Sequence, residues 1–276
     1  MSKAALDIVS GCLLGFNILG TFGNLNIIVA TARTKALRKK FGILLAILAC
    51  SDLLCLWYEF QSYVRMTFGL TRAPLISCYW ANVGYIFIET FEVYMILAVA
   101  VDRLHALQFP IKYKVFTTNI YVAVMISPGL CIGLFFAMNT PILCLWFIKQ
   151  YTYYSLTKLI NKVVSYALMP PNVIREVCVL PFSMPDKVST WWNHYNMWGA
   201  VITVLIYCLT YFQLYCFSPF VHDFRKVKKQ KAILNTLIVQ VVVFFFSSVG
   251  DINAYYYFIH FYNSRSSVFH SFHCFY

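Results

Sequence analysis

The sequence predicts an all-α fold, a polytopic transmembrane helix bundle with six visible spans forming a single domain over residues 1–276. Three observations carry this. Of 276 residues 61% are apolar and only 12% charged, too little polar side-chain surface to coat a soluble globule. Stretches of about 20 mostly apolar residues recur, the length a helix needs to cross a hydrocarbon core about 30 Å thick. The net charge of +12 sits in short runs between those stretches, which is membrane topology and not a nucleic-acid-binding face.

In chain order, span one is expected over 6–32, bounded by Arg33, Lys35, Arg38, Lys39 and Lys40, and span two over 41–64. The chain begins MSKAALDIV with no small-residue cleavage site, so span one is expected to act as its own signal anchor. Span three covers 79–103 and ends at Asp102-Arg103, with Lys112 and Lys114 following. Span four covers 119–148, and a polar stretch with Pro170, Pro171 and Pro181 makes 149–190 the one long loop, expected outside the cell. Span five, over 191–217, opens with Trp191, Trp192 and Trp198, aromatics of the kind that anchor at a membrane interface. Span six, over 232–258, follows the basic run 225–231, and no further apolar stretch of spanning length comes after it. The loops at 33–40, 103–114 and 225–231 are dense in Lys and Arg, so they are expected in the cytoplasm and the N-terminus outside.

On this topology only Cys78, Cys178 and Cys274 of the ten cysteines fall outside spans or at their outer ends. Cys78 and Cys178 are the natural pair, a bridge that would pin the long loop over the bundle in an oxidising lumen, although sequence leaves connectivity open. The other cysteines lie in spans, where a buried thiol is a small hydrophobe. Charges within spans are costly and usually face the bundle interior. Asp52 and Glu59 are seven residues apart on one helical face, and Glu89 and Glu92 three apart on another. If Asp52 and Glu92 approach each other, either one is protonated or a cation lies between them. Glu89 lies about a turn nearer the outside, at a depth a small ligand could reach, and it marks a candidate ligand pocket with Glu59. Asp102-Arg103 reads, on residues alone, either as a snorkelling interfacial pair or as a functional one.

Order and spacing favour the second reading. Gly23-Asn24, Leu48-Ala49-Cys50-Ser51-Asp52, Cys78 twenty-five residues before Arg103, Asp102-Arg103-Leu104 and Phe109-Pro110-Ile111-Lys112-Tyr113 together resemble the signature of rhodopsin-like G-protein-coupled receptors. The phrase VDRLHALQFPIKY, with DRL in place of DRY, is most similar to the nematode serpentine chemoreceptors of class Srsx. The resemblance implies seven spans, of which six are visible. It implies an orphan chemoreceptor in the plasma membrane of chemosensory cells, partnered by a small-molecule or peptide ligand and a heterotrimeric G-protein, with no cofactor. By the same resemblance Asn24 and Asp52 would join a buried polar network, to which the reading of the intramembrane acids adds Glu92; Cys78 would bridge Cys178, and Arg103 would be held by Asp102 at rest and freed on activation. Tyr207 or Tyr211 would be the span-five tyrosine that turns toward that arginine.

The chain departs from the pattern in several places. Span four has no central tryptophan, span five no proline, and span six neither, although Ser247, Ser248 and Gly250 could weaken that helix. No acid opens span six to face Arg103, and no NPxxY-type segment follows it. The alternatives are therefore a non-signalling truncated receptor-like product or a small transporter or channel, which intramembrane acids would also suit. No HExxH or GxSxG motif supports an enzyme, and the spacing of His260, His270 and His273 does not suggest a metal site.

Overall fold

The computed structural model describes residues 3–35, 37–70, 72–151, 174–175, 178, 183–184 and 186–217. The expected sixth span, the basic run before it, Cys274 and most of the long loop lie outside these residues. Two compact units are present, Met1–Trp192 and Asn193–Tyr276.

The first unit is built from α1 (Lys3–Arg33), α2 (Lys40–Thr67), α3 (Leu75–Gln108), the short α4 (Pro110–Val115) and α5 (Thr118–Tyr151). Apolar residues run all round the long helices, so neither propensity nor an amphipathic stripe limits their length. Punctuation limits it instead. At the end of α3, Phe109 precedes Pro110, and a residue before proline is disfavoured in helical geometry. Pro110 then opens α4 at a position where its missing N–H costs nothing. The helix thus continues past Arg103, where the expected span stops, to Gln108. At the end of α1, the Arg38 guanidinium turns back to the Ala32 carbonyl and satisfies one of the carbonyls a helix end leaves open.

Packing runs in the order α1, α2, α3, α5, with α2 also touching α5. The central member is α3: half of its spanning segment is buried, against 6% for α1. Between α3 and α5 the approach is set by glycine. A Cβ at Gly129 would lie 2.4 Å from the Tyr94 ring and one at Gly133 3.0 Å from Phe87. The Gly129-Leu130-Cys131-Ile132-Gly133 spacing is the small-xxx-small pattern by which membrane helices come close where no hydrophobic drive separates protein from lipid. Tyr79 of α3 adds a hydrogen bond to the Ala137 carbonyl of α5.

At the other end of α3, β1 (Ala73–Pro74) pairs antiparallel with β2 (Ile174–Arg175) from the long loop. The last helix described, α6 (Asp186–Phe217), starts in the first unit. There Trp192, expected among the interfacial aromatics, is instead buried and donates its indole N–H to the Thr90 hydroxyl at 3.0 Å. Its neighbour Trp191 is exposed. Adjacent residues on a helix point about 100° apart, so only one of the pair can face outward fully.

In the second unit the remainder of α6 carries a buried stripe of Asn196, Ala200, Thr203, Tyr207, Thr210 and Leu214. Steps of three and four residues keep these on one face. Thr203 and Thr210 return their hydroxyls to the carbonyls four residues back, at 2.7 Å each, so neither leaves a polar group open in an apolar setting.

Among the described residues, five helices are long and apolar enough to cross a membrane, with segments Leu14–Arg33, Lys40–Arg65, Ser77–Gln108, Thr118–Met138 and Val188–Tyr215. The fold is an all-α polytopic helix bundle.

Candidate functional site

The densest polar constellation lies at the Arg103 end of α3. Asp102 is fully buried, and Arg103 reaches it with Nη2 at 2.5 Å and Nε at 3.1 Å, both to Oδ2. The second carboxylate oxygen, Oδ1, accepts the Tyr113 hydroxyl at 3.0 Å. A buried carboxylate is tolerable only when paired and hydrogen-bonded, and both requirements are met here. Burial pushes the Tyr113 phenol above the ordinary tyrosine range, and the Asp102 charge pushes it further.

The first turn of α2 closes this cluster. The Phe41 ring centroid lies 3.5 Å from Arg103 Cζ, and the Arg103 side chain is 20% exposed. Lys40, only 6% exposed, donates Nζ to the Tyr113 carbonyl and stands 4.5 Å from the Tyr113 ring and 5.1 Å from the Tyr121 ring. His105 stacks on Tyr121 with centroids 5.9 Å apart. Four helices, α2, α3, α4 and α5, therefore meet around one ion pair. Sequence reading placed Asp102 and Arg103 here but missed Lys40, Phe41, His105 and Tyr121. Lys40 looked like the last charge of a loop run, and the only signal against that was its position at the start of an apolar helix.

A second polar group lies deeper, between α1, α2 and α3. Asp52 interacts with Asn24 of α1 and Glu92 of α3, and Glu92 with Cys55 of α2, while Asp52 Oδ1 is buried without a hydrogen-bond partner. Among the described residues, no three His, Cys, Asp or Glu side chains are arranged to hold a metal ion. Glu59 accepts the Tyr85 hydroxyl at 3.4 Å, and Tyr85 stacks on Tyr58 with centroids 5.3 Å apart. Glu89 and Glu59 lie on the α3 and α2 faces that carry this group.

At the far end of α3 the sulfurs of Cys78 and Cys178 are joined, with Cα atoms 5.6 Å apart. Asn82 donates to the Cys78 carbonyl at 2.9 Å, and Arg65 approaches the Cys178 sulfur at 3.7 Å. Of the free thiols expected to be buried, Cys55 is, whereas Cys50, Cys131 and Cys208 lie on exposed helix faces. In a bilayer such a face meets hydrocarbon, which suits a thiol as well as a core does. Tyr207 lies on the buried stripe of α6 and Tyr211 on its exposed side.

Long apolar helices, a carboxylate pair inside the bundle and an ion pair clamped at one end of the central helix define a polytopic α-helical membrane protein. A family model described as serpentine type 7TM GPCR chemoreceptor Srsx matches residues 17–275, and the chain belongs to that family. The family is a class of chemoreceptors and not of enzymes. No curated protein matches the chain.

Proposed function

We propose that the chain is a chemoreceptor that couples an external ligand to a heterotrimeric G-protein through Arg103. The observation that carries this reading is the fully buried Asp102 holding Arg103 at the end of the central helix. An arginine held by its neighbour and one-fifth exposed is poised between two partners, the carboxylate and an incoming protein. A ligand that prefers one arrangement of the helices would shift the population toward a bundle with Arg103 released.

In this reading residues 1–276 form one transmembrane domain with spans near 6–32, 41–64, 79–103, 119–148, 191–217 and 232–258. The loop 149–190 lies outside the cell, and the Arg103 end of α3 lies in the cytoplasm. Glu89 and Glu59 face the ligand, while Asn24, Asp52 and Glu92 form the polar network between pocket and switch. Tyr207 or Tyr211 is the span-five tyrosine that would turn toward Arg103 on activation. The plasma membrane of nematode chemosensory cells is the expected site of action. The Cys78–Cys178 bridge belongs to the oxidising exterior.

The test is basal G-protein activation by the full chain in a reporter cell at matched surface expression. Arg103→Ala is expected to abolish the signal. Activation that survives the substitution would remove Arg103 from the mechanism.

A further inference from the structure

Resting on the reading of Arg103 as the coupling residue, we propose that Phe41 is a positioning residue that holds the Arg103 guanidinium in its resting place by capping it with an aromatic face. The guanidinium is bounded on one side by the Asp102 carboxylate, with Nη2 to Oδ2 at 2.5 Å, and on another by the Phe41 ring, 3.5 Å from Cζ to centroid. A planar delocalised cation presents its flat side to a ring and its N–H edge to a carboxylate at the same time, which an ammonium cannot do. The sequence carries no acid at the start of the expected span six to face Arg103. An aromatic cap from α2 supplies a restraint of a different chemical kind.

Three contacts fix the ring where it is. Gly42, next in the chain, lets the Leu37 carbonyl come so near that any Cβ there would sit 1.8 Å from it, which seats the loop on the first turn of α2. Lys40, the preceding residue, is tied to the Tyr113 carbonyl. Tyr113 in turn bonds Asp102 at 3.0 Å, so ring, carboxylate and loop helix are held as one assembly around the guanidinium. The Arg103 side chain is only one-fifth exposed, so the attraction between cation and ring is stronger here than at an open surface.

The experiment reads Arg103 directly and needs no G-protein. The full chain in lipid nanodiscs is treated with phenylglyoxal, and the rate of modification at Arg103 is followed by peptide mass spectrometry against Arg33 and Arg38 as internal references. Phe41→Leu keeps an apolar side chain of similar size but removes the aromatic face, and it is expected to raise the Arg103 rate roughly tenfold. Phe41→Tyr is expected to stay near the parent rate. A parent-like rate for Phe41→Leu, or a Phe41→Tyr rate as high as that of Phe41→Leu, would overturn the proposal. Should Phe41→Leu fail to fold, Phe41→Trp offers a stronger ring and is expected to slow the reaction several-fold; an unchanged or faster rate overturns the cap. Protection that depends on the ring in a chain that does not activate G-protein would keep this inference and sink the coupling reading instead.

Discussion

A carboxylate buried to 0% exposure cannot be left with an open oxygen at low cost, and Asp102 shows how one residue recruits its surroundings. Its two oxygens are divided between Arg103 and Tyr113. Tyr113→Phe removes only a hydroxyl, yet it leaves Oδ1 without this donor, and a loss of about 1–3 kcal/mol in unfolding free energy is expected. A thermal or chemical unfolding series would show it; a change within about 0.5 kcal/mol, the range of an ordinary surface substitution, would mean the bond carries little. The raised Tyr113 phenol gives a pH signature. The folded protein favours the neutral hydroxyl, so this contribution is fully present below the ordinary tyrosine value of about 10 and is lost as pH climbs through the higher folded value. In ultraviolet titration the parent and Tyr113→Phe should therefore form the same number of tyrosinates near pH 10, and one more in the parent would mean that the Tyr113 phenol is not raised.

Between helices, shape decides more than charge. Gly133 touches Phe87, and a branched side chain there would have to push α5 off α3, the most buried helix. Gly133→Val is expected to cost about 1–3 kcal/mol through overpacking, whereas Gly23→Ala, with nothing within 4 Å of its Cβ, should be close to neutral. Equal melting temperatures for the two variants in the same lipid would count against the packing described. The bridge at the other end of α3 makes an element-scale statement too. It spans a sequence separation of 100 residues, so its loss is expected to lower stability by about 2–4 kcal/mol. Because both sulfurs belong to one bond, the double variant Cys78→Ser/Cys178→Ser should be no worse than either single one. Additive losses would show that the two cysteines act separately.

For the whole molecule the question is which end faces which solvent. The dense basic loops argue that α4 is cytoplasmic and that the turn after α2 is external. Val115 in α4 is 79% exposed and Leu70 after α2 is 68% exposed, so a cysteine at either position is within reach of a reagent. A membrane-impermeant maleimide should label Leu70→Cys on intact cells and Val115→Cys only after permeabilisation. The reverse pattern would invert the topology and remove Arg103 from the cytoplasm.

Much of this architecture was written in the order of residues. Runs of apolar side chains long enough to cross hydrocarbon, the punctuation at Pro110, and Asp102-Arg103 at its distance from Cys78 are all one-dimensional facts. Solvent transfer and chain geometry act on them locally, so they pointed to a membrane bundle and a receptor family before any contact was known. What they could not hold was which side chains meet. Lys40 read as a loop charge and Phe41 as one more apolar residue, because nothing adjacent in sequence explains a cation buried beside Tyr113 and Tyr121 or a ring against Arg103. The Trp191-Trp192 pair likewise carries no mark of which ring turns inward to Thr90. Such choices depend on the angle and separation at which α2, α3 and α5 pack. Those are set by glycine-permitted approach and by the need of buried groups such as the Asp102 carboxylate for partners, and they exist only once the helices are together.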